Sequence, residues 1–92
     1  MKIEFDPQKS DTNVQERGLS FALVEQFDFE TALFKIDDRH DYGEVRIRAL
    51  GRIGDRVHAL VFKETQIGIR VISLRKANRR EVRIYEQEIT RR

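Results

Sequence analysis

A chain of 92 residues, 39% hydrophobic and 37% charged, with no cysteine, allows one modest core and excludes disulfides, thiolate chemistry and cysteine-based zinc sites. No apolar run approaches the roughly 20 residues of a membrane span, and Glu4 and Asp6 interrupt the N-terminal stretch where a signal peptide needs apolar residues. The expectation is one domain over residues 1–92 in a reducing, cytoplasmic setting. The net charge of +2 divides unevenly: residues 1–44 hold five Lys or Arg against eleven Asp or Glu, whereas residues 45–92 hold thirteen against five. That asymmetry fits a basic surface for nucleic acid, or two halves that partly neutralise each other in the fold.

Residues 2–5 alternate as a short half-buried strand does. Asp6 is placed to cap, and Pro7 to open, a helix running to about Arg17, which Gly18 ends. Val14 is its one clear apolar residue, so the helix belongs on the surface; Lys9 and Asn13, four apart, share an exposed face. Ser20 is placed to cap a second helix whose stripe of Leu23, Val24 and Phe27 docks on a sheet. Ala32–Ile36 reads as the next strand. Asp37 to Gly43 reads as a solvated polar loop, because its carboxylates and His40 lack the spacing of a calcium or zinc motif.

From Glu44 the pattern is a meander: a strand at Val45–Ala49, a turn over Gly51–Asp55, then strands at Val57–Phe62 and Gln66–Leu74. Short connections imply antiparallel neighbours. Alternation puts Arg46 and Arg48 on one face, opposite Val45 and Ile47. Arg70 to Glu86 (RVISLRKANRREVRIYE) then passes from an apolar run into a basic helix. Asn78 and Glu81 have the spacing of a capping box, and Val82, Tyr85 and Ile89 mark the buried stripe. Six Lys or Arg lie between positions 70 and 83; arginine forks match phosphate oxygens, while charge alone also fits a solvated helix face.

The chemistry on offer is narrow. No nucleophile elbow accompanies His40 or His58, and the Gly51–Gly54 segment lacks the ending of a phosphate-binding loop. His58 alternates with Leu60 and Phe62 and reads as a satisfied sheet histidine. What remains is metal-free chemistry on RNA, where the 2′-hydroxyl is the nucleophile and an Arg-rich site need only orient the phosphodiester, accept a proton and stabilise charge. Glu81 among arginines is expected to have a depressed pKa, and the Tyr85 hydroxyl offers a hydrogen bond to the phosphate or leaving group.

Taken in order, several stretches resemble the BrnT family of toxins from bacterial type II toxin–antitoxin systems. They are Phe5-Asp6 with Lys9 and Asn13; Gly18-Leu19-Ser20-Phe21; Gly43-Glu44-Val45-Arg46 and Gly51; and Arg70 to Ala77 with Glu81 and Tyr85. The resemblance implies a RelE-like α+β fold: a small antiparallel sheet with N-terminal helices packed on it and a basic C-terminal helix. It also implies RNA cleavage without a metal, and neutralisation by a BrnA-type antitoxin that carries a ribbon-helix-helix DNA-binding part. DNA would then be reached only through that partner, in a hetero-oligomer. The matched polar positions are Lys9, Glu44, Arg46, Arg75, Glu81 and Tyr85. Two positions depart from the family pattern: Phe5 replaces the usual Trp, and Arg17 stands where a His usually precedes Gly18.

The expectation is therefore an endoribonuclease toxin, without cofactor or metal, in which Arg46, Arg75, Glu81 and Tyr85 are catalytic. Lys9, Arg48, Arg70, Lys76, Arg79, Arg80 and Arg83 are the expected RNA-binding residues. The rival expectation is a non-enzymatic basic module that binds an acidic partner segment or RNA.

Overall fold

The computed structural model describes residues 1–92. Strand β1 (Lys2–Glu4) is followed by helix α1 (Pro7–Arg17), a 3₁₀ helix (Phe21–Gln26), strands β2 (Leu33–Ile36), β3 (Ile47–Ile53), β4 (Arg56–Glu64) and β5 (Gly68–Lys76), and helix α2 (Arg79–Arg91). The five strands form one sheet in the order β1-β5-β4-β3-β2, antiparallel except for the parallel β1–β5 pair. This is the expected α+β architecture. No helix is long and apolar enough to cross a membrane.

Local signals account for the helix ends. The Asp6 carboxylate accepts from the Gln8 backbone N–H at 2.9 Å, with Pro7 in the first turn. Gly18 closes α1 in the left-handed conformation (φ 71°), its N–H donating to the Val14 carbonyl at 2.8 Å. The second predicted helix is instead a six-residue 3₁₀ segment capped by the Ser20 hydroxyl. The reason lies in its apolar spacing: Phe21 and Val24, the residues it buries, and Phe27, which caps its end, recur every three positions, the 3₁₀ period.

That 3₁₀ segment covers one face of the sheet. Leu19, Phe21, Val24 and Phe27 meet Ala49, Leu60, Phe62, Ile69, Val71 and Leu74 in the larger core cluster. The predicted turn at Gly51–Asp55 is shorter than expected, because β3 runs on to Ile53 and only Gly54 and Asp55 turn. Gly51 is inside the strand because the Phe27 ring lies where its Cβ would be, 2.5 Å from the nearest ring carbon. On the other face, α2 seats Tyr85, Val82 and Ile89 against Val57, Ala77, Leu33 and Leu50. It covers only part of that face.

A β-bulge decides which β5 side chains reach the uncovered part. Val61 pairs with Ser73 and Phe62 with Val71, so Ile72 is the extra residue. The offset keeps Val71 and Leu74 in the same core although they are three apart. It sends Ser73 and Arg75 to the opposite, open face, beside Ala59 and Val61.

Helix α1 meets the molecule through polar groups, and here one expectation is corrected. Asn13 is buried, not exposed beside Lys9. Its amide donates to the Leu19 carbonyl at 2.9 Å and the Leu74 carbonyl at 3.0 Å. The nearby Ser10 hydroxyl accepts from the Phe21 N–H at 2.9 Å. Val14, the apolar residue of the helix, is exposed. Replacing Asn13 by Ala leaves two carbonyls without their donor, and we expect a loss of about 1–3 kcal/mol. In thermal unfolding this is a melting temperature lower by roughly 4–8 °C per kcal/mol.

Candidate active site

The open part of the sheet face, walled by the N-terminal half of α2, forms a concavity of about 790 Å³. Its floor is largely apolar, with Leu33, Leu50, Ala59 and Val61 beside the Ser73 hydroxyl, and Ile84 stands in the α2 wall. Around that floor come Arg17, Lys35, Arg39, Arg48, Arg75 and Arg80, against a single carboxylate, Glu81. Four of the six cations, Arg17, Lys35, Arg48 and Arg80, have no carboxylate within salt-bridge distance. Lys35 and Arg48 are direct cross-strand partners, an arrangement that repels and that a sheet selected for stability alone avoids.

Arg75 and Glu81 meet at the corner between β5 and α2. Arg75 Nη1 donates to Glu81 Oε1 at 2.7 Å and Nη2 to Oε2 at 2.9 Å, a two-pronged pair whose carboxylate is largely shielded, at 13% exposure. Oε1 also accepts from the Asn78 N–H at 2.9 Å, while the Asn78 side chain accepts from the Glu81 N–H at 2.9 Å. The predicted capping box is thus present, and its carboxylate holds the arginine as well. The Arg75 hydrogen bonds hold the Glu81 carboxyl below its ordinary value against the opposing effect of burial, helped by the Asn78 N–H and the charges of Arg75 and Arg48. Arg75 is raised in turn by Glu81.

The concavity gathers some of the predicted residues and leaves others apart. Arg48, Arg75, Arg80 and Glu81 line it together. Arg46 does not: it precedes β3, its Nε donates to Glu44 Oε2 at 3.0 Å, and its guanidinium stacks 4.1 Å from the centre of the Tyr42 ring. Tyr85 is 1% exposed in the second core cluster, and its hydroxyl is 3.1 Å from the Thr31 hydroxyl, which donates to Asp28 at 2.8 Å. Its expected contact with a substrate phosphate has no open path in this arrangement. Arg79 and Arg83 line a separate groove with Arg52, Asp55 and Arg56 on the far side of α2. Lys9, Arg70 and Lys76 are exposed but do not line the concavity, and Lys76 pairs across the sheet with His58.

Three lining cations escaped the reading of the sequence as binding groups. Lys35 sits opposite Arg48 only once the β2–β3 register is known. Arg17, noted as a replacement for the usual His, reaches the concavity from the end of α1 and its Nη1 lies 3.5 Å from the Leu74 carbonyl. Arg39 comes from the loop read as solvated, and that reading is corrected at Asp37. Asp37 is 4% exposed and takes Arg39 Nε at 2.7 Å and Nη2 at 2.9 Å, with the Tyr42 hydroxyl at 3.2 Å. The Arg39 hydrogen bonds push its carboxyl far below the usual range. An Asp-x-Arg spacing was the available signal, but nothing local tells such a pair from solvated charge. No group of three or more His, Asp or Glu comes together as a metal ion would require.

The chain matches the family model described as the ribonuclease toxin, BrnT, of type II toxin–antitoxin systems over residues 5–81. The chain belongs to the BrnT family. No curated protein and no solved structure matches it. Membership makes this BrnT chain a ribonuclease toxin, with RNA as its substrate and a cognate antitoxin as its partner. The match ends at Glu81, so it contains the Arg75–Glu81 corner and stops before most of α2.

Neither histidine enters the concavity. His40 packs edge-on against Tyr42, and His58 is buried in β4, its Nδ1 donating to the Arg56 carbonyl at 2.8 Å. Burial lowers the His58 pKa from its ordinary 6.5, with the Arg56 carbonyl opposing. Because the folded value lies below the unfolded one, the unfolded chain takes up the proton first as pH falls, and stability declines through and below 6.5. Urea midpoints at about pH 7.5 and about pH 5 should therefore differ, and His58→Gln should remove the part of that difference owed to the imidazole.

Proposed function

We propose that this BrnT toxin cleaves RNA without a metal, with the scissile phosphodiester held in the arginine-lined concavity. The 2′-oxygen forms the new bond to phosphorus and the bond to the 5′-oxygen breaks. The first loses its proton and the second gains one, leaving a 2′,3′-cyclic phosphate. The observation that carries this reading is the convergence of Arg17, Lys35, Arg48 and Arg80, cations without carboxylate partners, around the fixed guanidinium of Arg75. Arg75 and Arg48 stabilise the charge that grows on the phosphoryl oxygens, over an apolar floor where such interactions are stronger than in water.

Glu81 serves this chemistry as an orienting group. A carboxylate that is held ionised by Arg75 is a weak proton acceptor, but it fixes the arginine fork without depending on pH near neutrality. Arg46 and Tyr85 contribute from outside the concavity, Arg46 through its stack on Tyr42 and Tyr85 by anchoring α2. Lys9, Arg70, Lys76, Arg79 and Arg83 add the wider positive field that draws RNA toward the protein.

In the same reading, a BrnA-type antitoxin with a ribbon-helix-helix part neutralises the toxin in a cytoplasmic hetero-oligomer, and contact with DNA runs through that partner. The concavity favours an acidic segment of the antitoxin by charge complementarity. A second reading, a basic module that binds RNA or an acidic partner without chemistry, draws on the absence of an imidazole from the concavity.

End-labelled RNA incubated with the antitoxin-free chain in EDTA separates the two. Cleavage to 2′,3′-cyclic phosphate ends is expected, and Arg75→Ala should lower the rate about 10²–10³-fold with the circular dichroism spectrum unchanged. A folded Arg75→Ala protein of full activity would remove Arg75 from the mechanism. RNA that is bound but left intact by the unmodified chain would establish the second reading.

A further inference from the structure

The loop between β2 and β3 contains the one other guanidinium at the concavity that a carboxylate locks in place. Asp37 and Arg39 repeat the geometry of Glu81 and Arg75: two parallel hydrogen bonds, at 2.7 and 2.9 Å in each pair, to a carboxylate shielded from water. The Asp37 side chain is 1% exposed and that of Arg39 is 52% exposed, so the anchor is internal and the cation is presented to solvent. The Asp37 backbone is fixed as well, its N–H donating to the Arg46 carbonyl at 2.8 Å.

Burying a carboxylate in a loop is costly unless it is fully paired. Here the pairing is complete. The Tyr42 hydroxyl donates to Asp37 Oδ2 at 3.2 Å, and the Tyr42 ring lies beneath the Arg46 guanidinium at 4.1 Å. Arg46 is held by Glu44, which also accepts Lys63 of β4 at 3.4 Å. The ten-residue loop 37–46 is thereby tied to the sheet through Asp37, Tyr42, Glu44 and Arg46. Its outcome at the surface is one arginine aimed into the concavity from the β2 side, with its Nη1 donors uncommitted. Arg75 enters from β5, and two strands lie between β2 and β5 in the sheet. Both guanidiniums are pre-set in orientation, which lowers the ordering cost of binding an anion.

We propose that Arg39 is a second substrate-contacting residue of the toxin, binding a backbone phosphate of the RNA across the concavity from Arg75, with Asp37 and Tyr42 as its positioning residues. The proposal rests on the reading that the concavity takes RNA. It gives Arg46 a role as well, since its stack on Tyr42 supports the same unit.

The test measures binding of a fluorescent, 2′-O-methylated single-stranded RNA across a salt series, beside cleavage of ordinary RNA. Loss of one phosphate contact should reduce the slope of log K against log[salt] by about 0.7. That reduction is expected for Arg39→Gln, together with a lower kcat/KM. The double variant Asp37→Asn/Arg39→Gln, which leaves no unpaired buried charge, should show the same slope. In Asp37→Asn alone the arginine charge stays while its orientation is lost. Its slope should not fall, and its kcat should drop by about 10²-fold with less change in KM. An unaltered slope in both folded Arg39 variants overturns the proposal while leaving RNA in the concavity, even if cleavage declines. Failure of the unmodified chain to bind the RNA overturns the underlying reading and this proposal with it.

Discussion

The Glu81 carboxylate is the point on which helix, sheet and concavity depend together. Its Oε1 closes the cap of α2 on the Asn78 N–H, and both of its oxygens hold the Arg75 fork. A capping interaction alone contributes on the order of 1 kcal/mol, and a partly buried ion pair gains little net stability after desolvation. The arrangement is better understood as geometric. The last strand and the last helix share one anion, so the direction of α2 and the aim of Arg75 are set by the same group. Disturbing that carboxylate frays the first turn of α2 and frees the guanidinium at once.

The uneven charge of the chain resolves in both of the ways that sequence left open. Part of the acid in the first half is consumed internally: Asp37 holds Arg39, and Glu44 holds Arg46 and Lys63 of the second half. Asp28 is lowered chiefly by its hydrogen bond from Thr31, with a smaller contribution from the Arg52 charge. Neutralisation stops at the concavity, where six cations face one carboxylate already engaged by Arg75. A fold concerned only with self-neutralisation would have placed some of the exposed acids of the first half beside Lys35 and Arg48. Leaving those two cations opposed across a ladder costs stability, a cost that a polyanionic ligand relieves on binding.

What could be read from the chain was whatever neighbours in sequence determine. The caps at Asp6, Ser20 and Asn78, the meander from β3 to β5, and the buried stripe of α2 all depend on contacts within a few residues. The resemblance supplied the family and marked Arg75 and Glu81 as matched positions, while the strand-to-helix corner and its Asn78–Glu81 cap were legible in the spacing itself. Features that depend on register stayed hidden. The bulge at Ile72 breaks the alternation that would assign Arg75 a face, and Lys35 acquires its meaning from Arg48, thirteen positions away. Polar residues are usually exposed, yet the Asn13 amide serves two carbonyls that only the folded chain brings within reach. Asp37 departs from the same rule.

Arg17 bears most directly on how such a site works. Where the resemblance implies a histidine, this chain carries a guanidinium, a fork of hydrogen-bond donors with no acceptor. It lines the concavity, so the exchange falls at the site and not on a remote surface. On the proposed mechanism, proton transfer is then left to water, and the rate enhancement must come from orientation and fixed charge. Both are available here. Arg75 and Arg39 are locked by shielded carboxylates, and a locked guanidinium is aligned before charge develops on phosphorus, so little reorganisation is required as it does. A site built this way loses the acid–base contribution, typically about 10²–10⁴-fold, and keeps the electrostatic one. On the proposed mechanism, the expected enzyme is therefore a slow ribonuclease limited by proton transfer, its rate following hydroxide and not an imidazole.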